Sequence, residues 1–300
     1  MKYRPVPGIA RSVRAPLATL AVFGIALLFA GLGCSDDNET KPPEELAPPT
    51  SLDAVNGDGE IVLTWDASPD EGATNFDGYE IYRGTQSLAS LTLQQLEQYR
   101  IGHAGETVHT YTDNVTNGTL YYYHVRSINT ADDQSEASNE ITAAGRAEGT
   151  DVIIEEFEAE GASGFNFASG DPVALDQSNE DRFTLTDIYL GTGASDDDPG
   201  SPLALKSPHL LSRLNAEWDS RIAQIKLLGN GADSWETRTT NDTGMSNQSG
   251  VDAVGNVYAI KTPDNHWGKI WVQEIDDANP GSRKITFRYA YQPTAGLAQF

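Results

Sequence analysis

From Leu52 onward apolar and polar positions alternate in short runs, and turn-forming residues punctuate them. Ile61, Leu63 and Trp65 stand opposite Val62 and Thr64, and Tyr79 and Ile81 share one face of the run 79–83. Tyr121, Tyr123 and Val125 face away from Tyr122, His124 and Arg126. A period of two is the mark of strands, because successive side chains leave the pleated backbone on opposite faces. Asn56-Gly57-Asp58-Gly59 and Asn117-Gly118 supply the positive-φ residues of tight reversals. Short strands and turns at this spacing predict an antiparallel sandwich. Between them, Leu91, Leu93, Leu96 and Tyr99 predict a short helix or turn packed on its edge.

Ala143 to Thr150 reads as a joint, and alternation resumes beyond it. The second domain, 150–300, is expected to carry strands at 152–157, 183–190, 257–261, 267–273 and 285–291. The last three form a meander that turns at Pro263-Asp264-Asn265 and at Asn279-Pro280-Gly281. Leu214, Trp218, Ile222 and Ile225 recur at helical spacing and predict one amphipathic helix. The expected fold class is therefore mainly β, a sandwich over 47–147 followed by a mostly β domain with one helix.

The N-terminus is of another kind. Lys2, Arg4, Arg11 and Arg14 precede the apolar run Ala15 to Ala30, and no acidic residue stands before Asp36. A basic region, an apolar stretch and small residues are the pattern of a cleaved secretory signal over 1–33; the alternative is a spanning helix, for which the stretch is short. The single cysteine, Cys34, closes the run Ala30-Gly31-Leu32-Gly33-Cys34. This run resembles a bacterial lipoprotein signal, although Gly31 stands where that family carries Leu. The resemblance implies lipidation at Cys34 and a membrane anchor; otherwise Cys34 is an incidental thiol of a discarded peptide. Residues 34–46 then form an acidic, Pro-containing tether too poor in apolar groups to bury a core.

Pro48-Pro49, Ile61-x-Leu63-x-Trp65, Gly78-Tyr79-x-Ile81-Tyr82-Arg83, Tyr111-Thr112-Asp113, Asn117-Gly118-Thr119-x-Tyr121-x-Tyr123-x-Val125 and Ser135-x-x-Ser138-Asn139-Glu140 follow one another in order. Together they resemble the fibronectin type III family over 47–147. The resemblance implies an immunoglobulin-like sandwich used as a spacer or docking unit, with Tyr121 as the corner tyrosine. Val257 to Thr262, Gly268-Lys269-Ile270-x-Val272 and Ile285-x-Phe287-x-Tyr289-x-Tyr291 resemble the closing strands of HmuY-type surface lipoproteins, a family that includes haem binders.

Charge and motif content narrow the function. Cleavage before Cys34 leaves 16 Lys and Arg against 44 Asp and Glu, a net charge of −28. Such a field repels phosphate backbones and disfavours nucleic acid as a partner. With one cysteine no internal disulfide forms, so the cores must hold by packing. The sequence carries no Gly-x-Ser-x-Gly elbow, no His-Glu-x-x-His and no phosphate-binding glycine loop, and its five histidines show no metal-ligand spacing. No cofactor is implied.

The expected function is that of a non-enzymatic binding or scaffolding lipoprotein of the cell envelope, at the outer membrane or cell surface. Its partners would be the membrane through the lipid and another surface protein; the alternative is capture of haem or a glycan by the C-terminal domain. Two candidate sites stand out. Trp267, Lys269 and Trp271 fall on one face of a strand, either as an exposed ligand-binding face or as rings packed under the sheet against Trp218 and the helix. Asp196, Asp197 and Asp198 offer oxygen ligands to calcium, or keep a surface loop solvated.

Overall fold

In the computed structural model, which describes residues 45–157, 159–176, 179–193, 196, 198 and 200–300, the alternating runs are strands of antiparallel sheets. β1 (Thr50–Asn56), β2 (Glu60–Asp66), β3 (Phe76–Gly84), β4 (Arg100–Gly105), β5 (Thr110–Asn114), β6 (Leu120–Asn129) and β7 (Ile141–Ala144) make two sheets, ordered β1-β2-β5 and β4-β3-β6-β7. Their inner faces share one core. Ile61, Leu63 and Trp65 from the first sheet pack with Tyr79, Ile81, Tyr123 and Val125 from the second. The period-two pattern therefore marks the core-facing side of these strands, while Glu80, Tyr82, His124 and Arg126 on the outer side of β3 and β6 are buried as well.

On the outer face of the four-stranded sheet, Tyr82 packs under Leu88 and Leu96, where α1 (Leu93–Leu96) and a following 3-10 turn cover it. The helical turn thus lies on a sheet face rather than along an edge. His124 shares this cover and is buried edge-on against Tyr82 at 5.1 Å. Burial, with Arg126 nearby, lowers its pKa to about 4. Tyr121 sits half-buried beneath the Arg83 guanidinium at 5.0 Å. The buried hydroxyl that ties strands together here belongs to Tyr123, which donates to Asp113 at 2.7 Å.

The expected joint at 143–150 is mostly strand. β7 runs to Ala144 and β8 (Ala147–Glu155) begins after Gly145 and Arg146. β9 (Gly164–Asn166), β10 (Asp171–Val173), β11 (Ile188–Thr192), β12 (Leu203–Lys206), β13 (Gln224–Asn230), β14 (Gln248–Gly250), β15 (Asn256–Lys261), β16 (Trp267–Asp276) and β17 (Lys284–Gln292) complete two five-stranded sheets. Their orders are β13-β15-β16-β17-β8 and β10-β9-β11-β12-β14. Between them lies a second core that includes Ile154, Phe165, Leu190, Leu205, Ile270 and Phe287. The β15-β16-β17 meander follows the sequence expectation, and Asn265 at its first turn takes φ 62°.

Two expectations for this half change. The helix through Leu214, Trp218, Ile222 and Ile225 is absent: Ala216–Ser220 is a 3-10 turn and Ile225 lies in β13. The spacing misleads because Leu214 and Ile222 are exposed, so the four residues do not share one buried face. The run 183–190 likewise divides into α2 (Arg182–Leu185) and β11.

Both sandwiches belong to one compact unit, Glu45–Phe300. Their seam is polar: Arg146 N donates to Gly57 O at 2.9 Å, Gln299 Nε2 to Thr142 Oγ1 at 3.0 Å, and Thr294 Oγ1 to Gly118 O at 2.7 Å. Arg238 pairs with Asp53 at 2.8 Å, and Asn56 Nδ2 donates to Phe300 O. Among the described residues no helix is long and apolar enough to cross a membrane. Cys34 lies outside the described residues.

Candidate functional site

β16 alternates as its sequence demands. Ile270 and Val272 enter the core between the sheets, while Trp267, Lys269 and Trp271 face away from it. On that outer face Trp267 and Lys269 are buried and Trp271 is half-buried, which corrects the expectation of an exposed ligand-binding face. Trp235, at the end of α3 (Ala232–Trp235), stands 5.8 Å from the Trp271 ring. The Arg288 and Arg146 guanidiniums lie 4.3 and 5.0 Å from the Trp235 ring. Lys269 is fully buried beneath this cover, with Nζ donating to Trp235 O at 2.6 Å and to Thr237 O, and 4.6 Å from the Phe300 ring. Burial first, and the Arg146 charge second, lower the Lys269 pKa to about 7. The expected packing against Trp218 does not occur either, because Trp218 covers Tyr189 on the other sheet.

The aspartate candidates resolve differently. Asp196 is buried, and its carboxylate accepts from Tyr189 Oη at 2.9 Å, Lys206 Nζ at 3.0 Å and Arg213 Nη2 at 3.4 Å. A carboxylate already neutralised by two cations is poorly placed to ligate calcium, so Asp196 is a structural ion-pair partner. It is not the solvated loop residue of the other reading. Asp198 is exposed and caps its own turn, accepting from Gly200 N at 3.0 Å and Ser201 Oγ at 2.9 Å. Asp197 lies outside the described residues.

The open site lies over the β9-β11-β12 sheet. Tyr189 on β11 points outward from the core and is covered by Leu211 and Trp218, with Phe157, Leu175 and Phe183 packed around them. Two depressions open on this cover, of about 290 and 300 Å³. They share Phe157, Leu175 and Asp176 in their linings and so lie side by side as two halves of one grooved surface. One end is bounded by Glu160 and Ser163, the other by Arg182, Phe183, Leu214, Asn215 and Trp218.

Local structure fixes the groove's aromatic walls. Phe157 follows the end of β8, where its backbone N donates to Leu190 O at 2.8 Å and sets the ring 5.8 Å from Tyr189. Phe183 lies in the single turn of α2, edge-on to Trp218 at 4.7 Å. The Asn215 side chain accepts from Glu217 N and starts the 3-10 turn that carries Trp218. The Arg182 guanidinium lies 4.1 Å over the Phe183 ring and donates to Asn179 O.

Sequence reasoning missed this site. Phe157, Phe183 and Trp218 come from three distant segments, and the periods read through them, strands at 152–157 and 183–190 and a helix through Trp218, do not predict that the three side chains meet. A cluster of large aromatics outside regular strands is the one available signal.

Elsewhere the buried carboxylates are tied to cations. Glu156 accepts from Arg283 Nη2 at 2.7 Å, and this bonding lowers its pKa against the opposing effect of burial. Asp187 accepts from Phe167 N at 2.8 Å and pairs with Arg221 at 3.2 Å, yet burial raises its pKa to about 6. Among the described residues no cluster of three His, Cys, Asp or Glu side chains is arranged to hold a metal ion.

No protein-family model matches the chain. Exoglucanase B of Cellulomonas fimi is 27% identical over 189 residues, covering 60% of this chain. The chain spans 16% of that enzyme's length. Among solved structures, a β-1,2-glucanase from Parabacteroides distasonis aligns over 34% of this chain and 13% of its own at 23% identity, with a TM-score of 0.26. An α-L-rhamnosidase from Dictyoglumus thermophilum aligns over 82% of this chain and 25% of its own at 8% identity, with a TM-score of 0.29.

Proposed function

We propose that this chain is a non-enzymatic, envelope-anchored binding protein in which a proximal sandwich supports a distal one that takes up a ligand. In this reading Cys34 carries the lipid, residues 34–46 are the tether, and the proximal module is a fibronectin type III-like unit that orients its neighbour. The observation that carries the proposal is the pair of adjoining depressions between Phe157 and Trp218, where aromatic and aliphatic side chains stand beside charged and polar ones. The carboxylates of Glu156, Asp187 and Asp196 are enclosed and held by Arg283, Arg221 and Lys206, which suits a structural role for these three groups. The polar seam suits a support, since it fixes the groove relative to the proximal sandwich.

Two measurements test this reading. Cys34→Ser should move the full chain from the membrane to the soluble fraction with both sandwiches still folded; persistent membrane association refutes the lipid anchor. The amphiphilic, anionic fluorophore anilinonaphthalene sulfonate should bind the folded chain and be expelled by Leu175→Glu, which adds a like charge to the lining shared by both depressions. Unchanged fluorescence in that variant removes the groove from the proposal.

A further inference from the structure

We infer that the groove takes a neutral carbohydrate chain, lying along both depressions with sugar rings against Phe157 and Phe183. This inference rests on the reading of the groove as a ligand site and names its ligand class.

The walls are two aromatic pairs, each with one member sealed and one member half-open. Tyr189 and Trp218 are buried, and they hold Phe157 and Phe183 edge-on at 5.8 and 4.7 Å. The outer rings are thereby presented at fixed angles, with little freedom left to lose on binding. A pyranose has flat C–H faces and a rim of hydroxyls, so its receptor needs aromatic surface with hydrogen-bonding groups directly beside it. Arg182 stands 4.1 Å over the Phe183 ring, and Asn215 lines the same depression.

Shape and charge narrow the class. Each depression, at about 290 or 300 Å³, stands at the small end of ligand pockets, and the two adjoin at Phe157, Leu175 and Asp176. Consecutive small rings suit that form better than one broad planar ligand such as haem, and no histidine is among the described lining residues. The rim carries both signs, Arg182 against Asp176 and Glu160, on a chain of net charge −24. A polyanionic glycan or a phosphorylated ligand meets a repulsive field there, and an uncharged one does not.

The test titrates the full chain with cellohexaose, laminarihexaose and xylohexaose, following calorimetric heat and tryptophan fluorescence. At least one should bind saturably. Phe183→Ala should weaken that binding by about tenfold or more and Asn215→Ala by less, with cooperative melting retained in both. Silence from all three sugars overturns the carbohydrate assignment, as does binding that neither variant alters or tighter binding of a polygalacturonate hexamer. Hemin and anilinonaphthalene sulfonate separate the two levels. Uptake of either that Phe183→Ala abolishes, without any sugar bound, keeps the groove as a ligand site and rejects the sugar. Failure of sugars, hemin and dye together rejects both.

Discussion

The two outer faces of the distal sandwich carry similar aromatic material and end in opposite states. On the β15-β16 face, Trp267, Lys269 and Trp271 alternate along one strand as a binding platform would. Lys269 is nevertheless closed over by Trp235 and Phe300 and Trp271 is half-buried against Trp235, with the Arg146 and Arg288 guanidiniums on the Trp235 ring, while Trp267 is buried beside Lys261. On the β9-β11 face, Tyr189 is covered by Trp218 and Leu211, and that cover leaves a groove. Strand alternation tells which side of a sheet a side chain leaves from. What lies on top is decided by other segments, here those carrying Trp235 and Phe300 on one face and those carrying Phe157, Leu175, Phe183, Leu211 and Trp218 on the other.

The largest expected effect tests the sealed face. Trp235 is 1% exposed and stands between Trp271, Arg146, Arg288 and the aliphatic Val257. Trp235→Ala removes the lid and leaves a cavity lined by three cations, and it should cost about 3–5 kcal/mol in denaturant unfolding. A loss below about 1 kcal/mol would show that the lid is not what closes this face.

The second test uses Lys269, the buried charge under that lid. Its folded pKa is about 7 against an ordinary value of 10.5. Between these two values the unfolded chain holds a proton that the folded chain has released, so this group makes stability rise with pH across that window. Below about pH 7 both states carry the charge and the penalty is constant. Melting temperature followed from pH 7 to 10 should therefore climb, and Lys269→Met should flatten the climb. A variant with the same pH profile as the parent would mean that the amine is solvated and the face open.

Much of the fold, and little of the site, was legible in the sequence. Strands such as β2 announce themselves because one face is buried and the other is not, and Ile61, Leu63 and Trp65 fall where alternation puts them; Ile270 and Val272 on β16 do so as well, although Trp267 and Lys269 on its other face are buried too. Leu214, Trp218, Ile222 and Ile225 failed as a helix because two of the four are exposed, so their spacing reflects no common buried face. Asp196 was unreadable for a different reason. Its partners Tyr189, Lys206 and Arg213 lie on either side of it in sequence and meet only through β11, β12 and the segment after β12. The groove belongs to the same class of feature: its walls are assembled by tertiary packing of irregular segments, which carry no period.

The smallest expected effect separates stability from binding on the open face. Leu214 is 57% exposed yet lines the second depression beside Asn215 and Trp218. Because it buries little on folding, Leu214→Ser should change unfolding free energy by no more than about 0.5 kcal/mol. The same side chain would lose water to a ligand lying in the groove, so its removal should weaken ligand uptake while the melting curve stays in place. On the sealed face no such division is available, since every atom of Trp235 or Lys269 that a ligand could touch is already spent on the fold. A Leu214→Ser variant that melts several degrees lower would place Leu214 in the cover's own packing and make the two faces more alike than their exposures indicate.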